Sequence, residues 1–279
     1  MEKFNENRGI SIKESIKLFF EINIWLIIYG IPFAILDIYF KEHGLEVTYE
    51  FIKQLGEIAA YIFIIKKIYK RFISQENFKF KIKYKPTLKE GIFIIIATIA
   101  YIFVSDNTFG ILLEKIPEAD WIKNAFIEIE SAPLLLQFSS LCLIAPIFEE
   151  IIYRGIMLEQ LNKRCGATKA ILISSLFFGI MHFNLHQGVN AFFIGVVMGV
   201  IYVKTDSLLL TILLHFVNNL YYLIAQYIPY LDQIESNFSV VRLICGSILL
   251  FISYRFFNGI KTHLNRELKV YLKDKNDLK

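Results

Sequence analysis

Residues 133–148, PLLLQFSSLCLIAPIF, pass through sixteen positions without one charged side chain. They open an apolar segment at roughly 133–157, and seven other apolar segments occupy roughly 18–40, 51–65, 91–105, 168–186, 189–203, 207–228 and 238–254. Apolar blocks of about 16 to 25 residues have the length needed to cross a hydrocarbon core of about 30 Å. Inside lipid, every backbone N–H and C=O must find a partner within the protein, and a continuous apolar run does this by forming a helix. The chain therefore reads as all-α: a polytopic membrane helical bundle of about eight transmembrane helices. The expected location is the cell membrane, as a multi-pass protein with the lipid bilayer as its first partner. Composition agrees, since 55% of the 279 residues are hydrophobic, with 26 Phe and 15 Tyr, against about 45–50% in soluble proteins.

The basic residues test this count. With both termini in the cytoplasm, 24 of the 30 Lys and Arg fall in the inside segments 1–17, 66–89, 163–169, Lys204 and 255–279. Outside segments and helix rims hold only Lys41, Lys53, Lys115, Lys123 and Arg242. Such a bias sets orientation in membranes, and adding or removing one span would scramble it. The net charge of +4 thus marks topology, and no nucleic-acid partner is expected. The loop KKIYKRFISQENFKFKIKYK (66–85) reads as a short interfacial strand or helix touching anionic headgroups. The acidic stretch 106–132 reads as an amphipathic, solvent-facing connector. The N-terminus lacks a short apolar core with a small-residue cleavage site, so no removable signal peptide is expected. Cys142, Cys165 and Cys245 are scattered, which implies neither a disulfide framework nor a cysteine metal site.

Against this background the polar residues within spans stand out. A charged side chain at a helix centre costs about 2.5–3.5 kcal/mol on insertion scales, yet Glu149, Glu150 and Arg154 share one apolar block. Glu150 and Arg154 are four apart, so they meet on one helix face and neutralise each other. Glu149 is turned about 100° away and has no charge partner on its own helix. Pro146 removes a backbone donor and frees a carbonyl near Cys142, so a kink is expected there. The next span places Phe178 and His182 four apart, and a later one places His215 and Asn219 four apart. A turn near Cys165-Gly166-Ala167 makes the carboxylates and His182 equidistant from it, and so level with each other. His215 lies 11 residues beyond Lys204, about 16 Å into the membrane. Gly195 and Gly199 form GxxxG, whose ordinary meaning is close helix packing.

A carboxylate in an apolar cleft is made a competent base by desolvation, and donors on a facing helix can stabilise an oxyanion. Glu, two His and Asn around a water would suit peptide-bond hydrolysis. Glu149, His182 and His215 equally form a three-ligand zinc set. The cofactor reading therefore stays open between zinc and none. Taken singly, each group has a plainer role: a Glu–Arg clamp, a core histidine, lipid-facing Phe. Three spans that each present one polar face favour a shared site.

Glu149-Glu150-x-x-x-Arg154, Phe178-x-x-x-His182 and His215-x-x-x-Asn219 resemble the three motifs of the CAAX protease and bacteriocin-processing family (CPBP, or Abi) of intramembrane proteases. The resemblance spans about 133–225. It implies N-terminal helices 1–3 with their loops at 1–132, a catalytic core of helices 4–7 at 133–228, and a last helix with a basic cytoplasmic tail at 229–279. It also implies roles. Glu149 resembles the general base that activates water, with His182 assisting. His215 and Asn219 resemble the oxyanion-stabilising pair, and Glu150 and Arg154 resemble residues that orient the first glutamate. Family members have been described both as metalloproteases and as glutamate proteases. The expected substrate is a membrane-associated protein or peptide, in the manner of bacteriocin maturation or self-immunity. The abundance of Ile, Lys, Phe and Asn, as in an AT-rich microbial genome, argues against a prenylated one. The alternative is a non-catalytic immunity or partner-binding membrane protein of the same fold. A proton-coupled transporter fits less well, because no internal repeat is visible.

Overall fold

The computed structural model describes residues 9–72, 80, 86–228 and 237–277, with side chains in the last stretch as far as Ile260. Most of the basic loop 66–85 lies outside the described residues; its first part continues a helix through residue 72. Nine helices and no strand are found among the described residues. They are α1 Ile12–Glu42, α2 Glu46–Phe72, α3 Leu88–Leu113, α4 Asp120–Ser131, α5 Leu134–Cys165, α6 Ala167–Ile180, α7 Leu185–Thr205, α8 Leu208–Ala225 and α9 Val240–Asp277.

Local chemistry sets several helix ends. Ser11 and Glu14 form a reciprocal capping box at the start of α1, with the Ser11 N–H donating to Glu14 at 2.6 Å. Thr87 and Glu90 repeat it on α3. Both boxes satisfy donors that the first turn leaves without an intrahelical partner. Gly166, at φ +79°, supplies the left-handed residue that separates α5 from α6. The predicted turn at 165–167 is therefore observed.

Eight of the nine helices correspond to the eight apolar blocks. Six of them are long and apolar enough to cross a membrane: α1, α3, α5, α7, α8 and the part of α9 up to Ile260. The other two depart for different reasons. α2 carries Glu46, Glu50, Lys53 and Glu57, which dilute its apolar character. α6 has only 14 residues and rises about 21 Å, short of a core of about 30 Å. The ninth helix, α4, occupies the acidic connector and has no buried residue.

α8 is the central element, packed against α3, α5 and α7. α6 lies between α5 and α7, α9 covers α3 and α7, and α2 joins α1 to the middle of α5. On α1 the outward row Ile24, Ile27, Ile28, Ile31 and Ile35 is exposed, as is the row Val241, Ile244, Ile248 and Phe251 on α9. These rows would be an aggregation liability in water and are ordinary in acyl chains. Inside the bundle sit Glu150, Arg154, Ser174 and Ser175, all fully buried.

Candidate active site

The site is built on an irregular stretch of α5. Residues Phe138–Ile144 and Ile151–Leu158 form wide π-helical turns flanking the regular segment Ala145–Glu150. Such insertions shift the angular register of the side chains that follow, and they recur at functional sites. Pro146 explains part of the first one. The Ala145 N–H donates five residues back, to Ser140 O, so in this register Leu141 O awaits the N–H of residue 146. Proline has none. The freed carbonyl is that of Leu141, one residue before the expected position, and Asn219 Nδ2 of α8 donates to it at 2.8 Å.

The π turns keep Glu150 and Arg154 together and in the interior. Arg154 Nη1 donates to Glu150 Oε1 at 2.6 Å, with both side chains fully buried. Arg154 Nη2 donates to the Gly195 carbonyl at 3.2 Å, and the guanidinium lies over the Phe178 ring, 4.5 Å from its centroid. Gly195 is needed for this approach, because a Cβ there would meet Nη2 at 3.0 Å and Ser175 Cβ at 3.1 Å. The GxxxG stretch thus does more than pack helices. Its carbonyl receives the buried cation.

His215 of α8 stands between the two carboxylates. Its Nδ1 faces Glu150 Oε1 at 3.1 Å and its Nε2 faces Glu149 Oε2 at 3.9 Å. Glu150 can only accept, so its neighbour Nδ1 carries a proton, and Nε2 is presented to Glu149. Glu150 thus bonds His215, while no hydrogen bond joins it to Glu149, the residue it was expected to orient. The reason is the helix rotation: one face of α5 turns Glu150 and Arg154 inward, toward α8. Glu149 is 12% exposed by its side chain.

His182 lies elsewhere than expected. α6 ends at Ile180, and His182 falls in the turn that follows, ahead of Phe183 at φ +52°. Its Nδ1 bonds its own Phe178 carbonyl at 2.8 Å. No hydrogen bond or ion pair joins it to Glu149, Glu150 or His215. It reaches the site through Phe178, whose ring meets His182 edge-on at 5.1 Å, His215 at 5.6 Å and Tyr153 at 5.3 Å. Phe178 is the common wall of the site, a role that the four-residue spacing alone does not disclose.

Asn218, absent from the sequence reading, donates through Nδ2 to Asn219 Oδ1 at 3.2 Å, and its own Oδ1 is buried without a partner. Its position beside Asn219 was the one available signal. The trio Glu149, His182 and His215 does not assemble as a metal site: among the described residues no three His, Cys, Asp or Glu side chains gather to hold an ion. The cause is the turn after α6, which directs His182 back to its own helix.

The arrangement is an intramembrane carboxylate–imidazole–carboxylate set with an amide beside it. The family model described as type II CAAX prenyl endopeptidase Rce1-like matches residues 131–221, the stretch holding all six expected site residues. That stretch is similar to the CAAX-endopeptidase family. A Bacillus subtilis protein named as a proposed membrane peptidase, YdiL, is 31% identical over 122 residues, which cover 44% of this chain and 49% of that protein. An uncharacterized 24.3 kDa protein of Escherichia coli is 25% identical over 165 residues, or 57% of this chain and 73% of its own. The chain spans about half the length of the Bacillus relative it matches. No solved structure matches. The matching family model and the Bacillus relative's name both concern peptidases, and the six apolar helices set this chain in a membrane.

Proposed function

We propose that the protein is an intramembrane endopeptidase that hydrolyses peptide bonds of a membrane-associated protein or peptide by means of a Glu149-activated water. The observation that carries this reading is His215 held between Glu150 and Glu149 at 3.1 and 3.9 Å. Glu149 takes a proton from water, and the hydroxide adds to the carbonyl carbon. The oxygen of the tetrahedral adduct gathers negative charge and takes hydrogen bonds from His215 Nε2, when that nitrogen is protonated, and from the second N–H of Asn219. Such donors are worth roughly 10²–10³ in turnover each. Glu149 then passes its proton to the leaving nitrogen, the C–N bond breaks, and a carboxylate and an amine result.

Glu150 and Arg154 do not touch the reacting atoms in this scheme. They position His215: Glu150 fixes the proton on Nδ1, and Arg154 neutralises Glu150, with both side chains fully buried. His182, beyond bonding distance of Glu149, acts through the cleft as a second polar wall with its Nε2 unengaged.

The test is Glu149→Gln in the full chain, reconstituted in lipid and compared with wild type by peptide mass mapping of the membrane proteins. New termini that appear with wild type and vanish with the variant are expected. Unchanged termini, or an unchanged biological activity, would end the peptidase reading in favour of a non-catalytic partner-binding protein.

A further inference from the structure

Asn218 engages one half of its amide and leaves the other half without a partner. It stands on α8 three residues after His215 and one before Asn219, on the side of the helix that those two share. Its Nδ2 donates to Asn219 Oδ1 at 3.2 Å, while its Oδ1 is buried with no hydrogen-bond partner among the described residues. The residue as a whole is only 6% exposed. A buried carboxamide oxygen that no donor meets lowers stability, so packing alone gives little reason for an amide here.

The direction of these bonds is dictated by their far end. The Leu141 carbonyl accepts and cannot donate, so the atom of Asn219 that meets it at 2.8 Å is Nδ2. Oδ1 of Asn219 then points away from Leu141, toward Asn218. Because that oxygen only accepts, Asn218 must present its own Nδ2. Asn219 is thus gripped at both ends, at nitrogen by α5 and at oxygen by its neighbour on α8. One N–H of Asn219 remains, and the plane of the amide fixes where it points. Without the grip on oxygen the amide turns about its last side-chain torsion, which is soft, and the remaining N–H swings with it.

We propose that Asn218 is a positioning residue, which holds the Asn219 amide so that its remaining N–H faces the oxygen of the tetrahedral adduct. This inference deepens the peptidase reading and rests on it for the task of that N–H; the hold of Asn218 on Asn219 is a matter of structure alone.

The first measurement needs no substrate. Leu141-Cys142 is the one Leu-Cys pair in the chain. Labelling Leu carbonyls with carbon-13 and Cys amides with nitrogen-15 therefore gives a single correlated resonance, from Leu141, for the full chain in nanodiscs. Asn219→Ala marks the position of a carbonyl that has lost its donor. Asn218→Leu, branched like Asn but without polar atoms, should move the resonance part of the way there or broaden it, and Asn218→Ala should do the same. A resonance that stays at its wild-type position in both variants overturns the proposal. Melting temperature should be no lower than wild type, because the unpartnered oxygen is gone and the Oδ1 left behind belongs to half-buried Asn219. A large folding loss in both variants would make Asn218 a structural residue and equally overturn it.

The second measurement is turnover at the cleavage sites found by mass mapping. Asn218→Leu should lower kcat about 10- to 100-fold with KM unchanged, the effect of a misplaced group. Added to Asn219→Ala it should lower kcat no further, because it acts through that residue. Losses that multiply overturn the proposal. Wild type that cleaves nothing sinks the peptidase reading, while the Leu141 resonance still decides whether Asn218 sets Asn219.

Discussion

Asn219 completes a hydrogen bond that Pro146 leaves open: its Nδ2 donates to Leu141 O at 2.8 Å, where the backbone of α5 has no N–H to offer. A motif residue on α8 and a proline on α5 are thus joined by one unfilled backbone position. Asn219→Ala would strand that carbonyl, which costs about 1–3 kcal/mol when the group is buried. Lowered thermal stability in detergent is expected. If Asn219 also serves the oxyanion, kcat should fall about 10²–10³-fold with KM little changed.

Arg154→Ala should be the most damaging single change for folding. It leaves Glu150 fully buried beside an empty space, and breaking a buried pair in this way costs about 3–5 kcal/mol. Expression and monodispersity report it. Arg154→Lys should rescue little, because one ammonium cannot serve Glu150 and Gly195 O while lying flat on Phe178.

Gly195→Ala and Gly199→Ala make a paired experiment. A Cβ at 199 meets Ile171 and Leu158 side chains at 3.0 and 3.2 Å, whereas a Cβ at 195 meets Arg154 Nη2 and Ser175. Both changes overpack an interface, at about 1–3 kcal/mol. Activity should drop further for Gly195→Ala at matched stability, because only that change moves the cation holding Glu150. Equal activity loss in the two would deny Gly195 a part in the site.

His182→Ala should separate function from folding. The ring is half-buried and bonds only a carbonyl on its own chain segment, so the melting temperature should shift little. Turnover should fall about 10²-fold or more if His182 takes part in proton transfer. A large stability loss with undiminished turnover would make it a structural histidine.

The sequence discloses local relationships and hides those made between helices. Glu150 and Arg154 are four apart on one helix, so their pairing can be read from spacing, as can the turn at Gly166. The eight apolar blocks are recognisable as helices because lipid allows few alternatives. The orientation of Glu150 toward His215 depends on how α5 rotates against α8. That rotation is set by π turns, of which only the first carries a signal in the chain, at Pro146. His182 illustrates the opposite error. Its equal distance from the turn suggested a shared level with Glu149, but α6 stops short at Ile180, and the backbone reverses at Phe183.

The brevity of α6 has a consequence for the surroundings. A rod of 14 residues beside partners of 32 and 21 residues leaves a notch in the apolar girdle, and the adjoining leaflet must dip to meet it at a fraction of a kcal/mol per Å of mismatch. A leaflet that dips there would bring water and headgroups toward His182, in the turn after α6. The rate should accordingly rise in short-acyl phospholipids and fall in long ones, so that membrane thickness itself governs how readily the buried carboxylates are wetted.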